Sequence, residues 1–262
     1  MIRAGSTRRI IRKSGGAVYT AQALALFAAM TTPPTTARKI LINTAISSLL
    51  TAGIWNNLDV LYVLAAANAQ ASLLNWVAPT GFVAAGVNSP AFVADQGYTG
   101  NGSTSYVRSN FTLSTQAVKL TQNNASVWVW SRTSGQEAAG AIGNASSPRT
   151  FITPRNASNN MICGINNGSA SLTISNTDGS GLLGSSRSNA TTQNAWRNGA
   201  SIGSGAVGSS TLATDEQWIG AANATGFGTR QIAMAAWGAS LSGLEASFYN
   251  IMLAYMQGVG AA

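Results

Sequence analysis

The sequence predicts a mixed α+β chain, mainly β: an N-terminal basic arm, a small helical subdomain, an antiparallel β-sandwich and a C-terminal helix. Three observations predict it. Helix-period apolar stripes are concentrated in residues 17–77 and in the C-terminal segment. Residues 80–240 carry short period-two runs separated by Gly, Asn and Ser turns. Charged residues make up only 8% of the 262-residue chain while apolar ones make up 45%, so a sizeable core lies under a surface of uncharged polar groups.

Residues 1–16 form the arm, closed by Gly15 and Gly16. Residues 17–77 form the helical subdomain. Leu24, Phe27 and Met30 repeat at helical spacing, and Pro33 and Pro34 stop that helix. Ile42, Ile46 and Leu49 form the stripe of the next helix, and Gly53 sits where a C-terminal cap belongs. Ile54, Leu58, Leu61, Tyr62 and Ala65 follow the spacing of a third helix. Asn68 is placed to cap a short last one containing Leu73 and Leu74.

Residues 78–262 form the sandwich with its closing helix. In Val127, Trp128, Val129 and Trp130 the valines face one way and the tryptophans the other, so both faces of that strand are apolar. Asn198 and Gly199 between Trp196, Arg197 and Ala200 mark a hairpin. Further strands are expected at 105–108, 149–153, 160–165, 170–175, 217–219 and 231–237. Ser242 and Glu245 have the spacing of a capping box, followed by an apolar face of Leu244, Phe248, Ile251, Met252 and Tyr255. That helix is expected to cover an edge or a face of the sandwich.

The net charge of +8 belongs largely to the arm. Arg3, Arg8, Arg9, Arg12 and Lys13 lie there with no acid among them, and the rest of the chain is nearly balanced. An anchor on acidic protein surface is preferred over a nucleic-acid contact, because no aromatic residue interleaves Arg3 to Lys13 for base stacking. The opening has some marks of a secretory leader, but Tyr19, Thr20 and Gln22 interrupt its apolar run, so none is expected. No run approaches the roughly eighteen apolar residues of a membrane span.

Catalytic chemistry is poorly provided for. The chain has no His, which excludes a Ser-His-Asp site, and its single Cys163 can form no internal disulfide. Cys163 reads as a small buried apolar residue rather than a nucleophile. Lys13, Lys39 and Lys119 are the only lysines for a Ser-Lys variant; the first two lie outside the sandwich and Lys119 reads as a surface position. Asp215 and Glu216 are the only adjacent acids, and on a strand they point to opposite faces, unsuited to glycoside hydrolysis. No metal-ligand cluster or phosphate loop is present, and no cofactor is expected. Sugar binding needs an exposed ring beside amide or carboxylate groups. Trp196 with Arg197 and Asn198 is the first candidate for a glycan or interface contact, and Tyr98 near Asn101 the second. Burial of Trp196 in a core or interface is the competing reading, and Trp128, Trp130, Trp218 and Trp237 are expected in the core. Trp55 and Trp76 are expected to join helices to sandwich.

Several segments resemble a group of bacteriophage virion proteins: residues 30–40 (MTTPPTTARKI), 52–66 (AGIWNNLDVLYVLAA) and 70–76 (QASLLNW). The stretches 95–103 (DQGYTGNGS), 196–199 (WRNG) and 219–223 (IGAAN) are similar to their laminin-G-like or concanavalin-A-like sandwich, and 238–245 (GASLSGLE) with 248–255 (FYNIMLAY) to their closing segment. The resemblance spans about residues 17–258 and leaves out the arm. It implies a jelly-roll sandwich and a place on a virion, as decoration, tail or fibre protein, among other virion proteins and copies of itself. Some relatives bind calcium through loop carboxylates; here the carboxylates are too sparse. The expected function is therefore that of a non-enzymatic virion structural protein held by its arm. The alternative is a receptor-binding module for host surface glycans.

Overall fold

The computed structural model describes residues 17–222 and 226–262. The arm, with Arg3, Arg8, Arg9, Arg12 and Lys13, lies outside the described residues.

Helices α1 (Ala21–Ala29) and α2 (Thr36–Thr51) flank the Pro33 and Pro34 turn. Each starts at a threonine: Thr20 Oγ1 accepts from Ala23 N–H and Thr35 Oγ1 from Arg38 N–H, both at 3.2 Å. The buried face of α1 is Ala23 and Leu26, while Leu24, expected inside, is exposed. Helix α2 buries Ile42, Ala45, Ile46 and Leu49. It ends in a Schellman motif, with Gly53 at φ +75°, Gly53 N–H on Leu50 O and Ile54 N–H on Leu49 O.

The expected third helix is instead a 3₁₀ turn (Trp55–Asn57) and strand β1 (Leu58–Val63). A single helical stripe through Leu58 and Leu61 leaves Val60, Val63 and Leu64 outside it, yet all are fully buried. A segment apolar on every side belongs between two layers, and its valines favour the extended form. Val60, Tyr62 and Leu64 face one core, and Leu58, Leu61, Val63 and Ala65 the other. Asn68 caps the short α3 (Ala69–Ser72) as expected, its Oδ1 accepting from Ala71 N–H at 2.9 Å, but the helix ends before Leu73 and Leu74, which the sequence pattern places within it.

The remaining elements run in chain order: β2 (Ala85–Val87), β3 (Ala91–Val93), β4 (Gly97–Thr99), β5 (Tyr106–Thr112), α4 (Leu113–Gln116), β6 (Ala125–Ser131), β7 (Ile142–Asn144), β8 (Arg149–Thr153), β9 (Asn160–Asn167), β10 (Leu172–Ser175), β11 (Gly181–Arg187), β12 (Thr192–Arg197), β13 (Ala200–Ala206), β14 (Glu216–Ile219), β15 (Gln231–Gly238) and α5 (Glu245–Val259). Two antiparallel sheets form the sandwich. The first has the order β13-β12-β11-β6-β15-β4-β3, with β1 beside β4 along the same edge of β15. The second has the order β10-β9-β8-β7-β14-β5-β2.

Three layers result. Between the sheets, Val107, Ile219, Ile142, Ile152, Cys163 and Leu172 form one inward row across the second sheet, opposite Val127 and Val129 of β6. On the outer face of the first sheet, Trp128 and Trp130 meet α5 through Phe248 (5.5 Å between ring centres) and Tyr249 (5.9 Å, stacked). Trp55 and Trp76 share that second core with α1 and α2, joining helices to sandwich as expected. Among the described residues the helices roof only the first sheet; no residue of the second sheet enters their core. No helix among the described residues is long and apolar enough to cross a membrane.

Helix α5 lies over a sheet face, but its start differs from expectation. Ser242 is left-handed (φ +47°), Leu244 is the cap residue and Glu245 accepts from Gly243 N–H at 2.8 Å. The S-x-x-E spacing thus closes a turn ahead of the helix rather than a capping box. The buried face is Phe248, Met252, Tyr255 and Met256.

Candidate functional site

The carboxylates are taken up in structural contacts. Asp95, Glu137, Asp178 and Glu216 each pair with a different arginine: Arg38, Arg230, Arg197 and Arg108. Asp59 accepts three backbone N–H groups, from Val118, Lys119 and Leu120, at 2.8–2.9 Å. Lys119 therefore sits in a turn rather than on a surface strand. Glu245 holds the turn before α5. Among the described residues no three His, Cys, Asp or Glu side chains gather to hold a metal ion. Cys163 is fully buried, and burial pushes its thiol up to about 11 against the pull of Ser185 and Gln193, so it is no thiolate.

The residues singled out for glycan contact do not converge. Asn198 (φ +51°) and Gly199 (φ +77°) make the β12–β13 hairpin with left-handed central residues, as a two-residue turn requires. The hairpin faces inward. Trp196 is half-buried against the helical core, its Nε1 donating to Ser186 Oγ at 2.8 Å. Asn198 Oδ1 accepts from Leu182 N–H at 2.9 Å, and a Cβ on Gly199 would lie 2.7 Å from Ala246 Cα in α5. Arg197 is committed to Asp178 and Ser180. Tyr98 is 7% exposed and packs in the sandwich core, 5.1 Å from the Phe92 ring. Trp196 thus packs on the helical core and Gly199 approaches α5, while Arg197 and Asn198 are held by Asp178, Ser180 and Leu182, and the Tyr98 ring is enclosed.

The Arg197–Asp178 pair has a pH signature. Burial works to raise Asp178, but hydrogen bonds from the N–H and Oγ of Ser180, together with Arg197, outweigh it and hold the carboxyl at about 2. An unfolded Asp titrates near 3.9, so this stabilisation is complete above roughly pH 4 and fades as pH falls toward 2. Asp178→Asn lowers stability at neutral pH and flattens the loss across that acid window. Unfolding curves collected from acid to neutral pH check this, and an unaltered acid slope contradicts it.

An aromatic site lies on the open face of the second sheet. Alternation along β5 sends Val107, Ser109 and Phe111 inward and Tyr106, Arg108 and Asn110 outward. In β14, Gln217 and Ile219 turn inward and Glu216 and Trp218 outward. Trp218 was expected in the core; instead it stands half-buried on this face. Its ring stacks on Tyr106 with centres 3.9 Å apart and planes at 22°. Phe227, from the β14–β15 connection, completes the cluster at 6.0 Å from Tyr106 and 6.3 Å from Trp218.

The neighbours of this cluster are polar and fixed. Arg108, in register with Trp218, places Nε and Nη2 at 3.3 and 3.2 Å from the two oxygens of Glu216. Glu216 also accepts from Asn110 N–H at 2.6 Å. The Arg108 side chain is still 47% exposed. On the other side Trp218 faces Gly143, where a Cβ would lie 2.0 Å from Thr150 O. The stacked rings cover each other's inner faces and leave their outer faces and edges beside one neutralised ion pair, a surface suited to an apolar face with hydroxyl edges.

No family model and no curated protein matches the chain. Solved structures share its fold at low identity. The botulinum neurotoxin serotype G binding domain aligns with TM-score 0.53 and 14% identity, over 75% of this chain and 51% of that one. The serotype D binding domain aligns with TM-score 0.51 and 13% identity, over 77% and 52%. The serotype D ligand-binding domain in complex with N-acetylneuraminic acid gives 0.50 and 14%, over 76% and 52%. The chain spans about half the length of these domains, and the likeness shows a shared β-sandwich fold.

Proposed function

We propose that this chain is a non-enzymatic recognition module that binds a host-surface glycan on the open face of its second sheet. The observation carrying this reading is the Tyr106–Trp218 stack, standing half-exposed beside Phe227 on a sheet face that the helices leave uncovered. Tryptophan and tyrosine offer large flat apolar faces that lose little side-chain entropy on binding. The Arg108–Glu216 pair supplies donors and acceptors at the rim without net charge, which favours uncharged sugars. A domain that shares this sandwich over 52% of its length has been solved with N-acetylneuraminic acid, an acidic sugar, which supports including both acidic and neutral sugars in a binding test. Engagement of the carboxylates with arginines and backbone amides supports the absence of acid–base catalysis.

The resemblance to phage virion proteins and the sparse surface charge support a structural place on a virion, as a decoration or tail-associated protein among other virion proteins and copies of itself. The arm, with Arg3, Arg8, Arg9, Arg12 and Lys13, is the proposed anchor.

Two experiments separate these parts. An array of immobilised neutral and acidic glycans should show binding to neutral pyranosides; binding to none contradicts the recognition reading. Deleting residues 1–16 should abolish incorporation into particles while leaving glycan binding intact; normal incorporation removes the anchor.

A further inference from the structure

The sandwich has two flanks, and they are built differently. One flank ends in β3 of the first sheet and β2 of the second; the other ends in β13 and β10. An open strand edge offers unpaired N–H and C=O groups to other strands, so natural sheets blunt it with short strands, prolines or charges. The first flank is blunted in this way. Strands β2 and β3 have three residues each, and Pro90 stands between them, its ring 3.3 Å from where a Cβ on Gly86 would lie.

The other flank lacks these devices on its longer strand. Strand β13 has seven residues, with Ala200, Ser201, Ser204 and Ala206 exposed. Among the described residues nothing pairs with its outer side. Residues 156–214, which supply β9 to β13, contain no proline and only three charged side chains. Arg187 is fully buried and Arg197 is paired with Asp178, so the edge carries no net charge. One bulge interrupts β13, and beyond it residues 203–206 keep an unbroken register with 192–195. Strand β10 ends the second sheet close by: Cβ atoms on Gly203 and Gly205 would each lie 2.7 Å from the Cδ1 atoms of Ile174 and Leu172.

The missing charge selects the occupant. A strand of different sequence is chosen by side-chain pockets or by opposite charge, and the small neutral side chains of β13 supply neither. A strand that faces its own copy across a two-fold axis meets each of its charges as a like charge, so a self-pairing edge has to be neutral. Antiparallel pairing of identical strands is two-fold symmetric and closes at two copies instead of growing into a fibre. We propose that β13 pairs antiparallel with β13 of a second copy, joining the first sheets of two chains into one. This gives a surface to the self-association proposed above. The axis of such a pair stands perpendicular to the sheet, so both second sheets lie on the same side of the dimer. Both Tyr106–Trp218 faces then point one way, and one dimer meets a glycan-bearing surface with two sites. That bivalence rests on the glycan reading; the strand pairing does not.

The contact is small. Seven residues span roughly 24 Å and the sandwich is about 10 Å thick, well short of the ~800 Å² per partner of a tight dimer. The dimer is therefore weak, with a dissociation constant on the order of 10–100 μM.

Sedimentation velocity of the full chain, from about 5 to about 500 μM, should show monomer passing into dimer over that range. Ser204→Lys and Ser204→Glu change an exposed side chain and leave the core intact. Each alone should weaken the dimer about tenfold or more, and an equimolar mixture of the two should restore association, because lysine then faces glutamate. A chain that stays monomeric throughout overturns the proposal, while the glycan array still judges the aromatic face separately. A dimer that both variants leave unchanged places self-association on another face and overturns it equally. Weakening by both variants with no rescue in the mixture contradicts the two-fold pairing.

Discussion

Trp218→Ala should lower affinity for the bound glycan by about 2 kcal/mol or more, roughly thirtyfold, with the fold retained. The size follows from position. Trp218 lies on a face that no helix covers, so its indole is available to a ligand. It is also stacked on Tyr106 at 3.9 Å, which fixes the ring in one orientation. Removing it takes away one ring of the stack and leaves Tyr106 free to turn. The inward neighbours Gln217 and Ile219 stay buried, so the sandwich core is untouched. The stability cost is that of one half-buried ring, about 1 kcal/mol, well below that of a core truncation. Trp218→Phe should retain most of the binding, because a flat face remains. Titration calorimetry alongside thermal unfolding separates the two effects. Loss of binding together with collapse of the fold, or full binding without the indole, contradicts the placement.

Trp128→Ala should destabilise the protein by about 3–5 kcal/mol and loosen α5 from the sheet. Trp128 is fully buried between β11 and α5. On one side it covers Gly184, where a Cβ would lie 2.0 Å from the indole Cζ3. On the other it meets Phe248 of α5 at 5.5 Å. The ring thus occupies a slot made by a missing side chain. Truncation leaves a void that neither Gly184 nor the helix can fill without moving backbone. Gly184→Val tests the same slot from below: its added atoms collide with the indole and should destabilise by about 1–3 kcal/mol. Denaturant unfolding of both variants measures the loss, and hydrogen exchange along α5 reports its release. A shift under about 1 kcal/mol for Trp128→Ala would mean that the helical layer contributes little to stability.

That slot also marks what the sequence could and could not disclose. Val127 and Val129 against Trp128 and Trp130 announced a strand with two apolar faces, because period-two alternation survives in any setting. The hairpin at Asn198 and Gly199 and the Asn68 cap were legible for the same local reason: their backbone geometry selects those residues. Strand β11 (Gly181–Arg187) was not legible, since its two glycines and two serines carry no apolar alternation. Gly184 is there to receive Trp128, a partner 56 positions away. The segment of strand β1 fits a helix equally well in sequence, because a run apolar on all sides satisfies both periods. Only the layers on its two sides decide. The recognition face was hidden in the same way. Trp218 looked like core because large aromatics are mostly buried, yet Glu216 two positions earlier shares its face and is polar. Read with period two, that spacing already places Trp218 outward. Stacking on Tyr106 depends on the pairing of β14 with β5 across more than a hundred residues, which no local pattern encodes.

The most direct test of the recognition face is a crystal structure of the full chain with the strongest neutral glycan from the array. A pyranose ring should pack against the outer side of the Tyr106–Trp218 stack, its hydroxyls within hydrogen-bonding reach of Arg108 and Glu216. A sugar seated at the Trp196 hairpin, with the Tyr106–Trp218 stack bare, would contradict it.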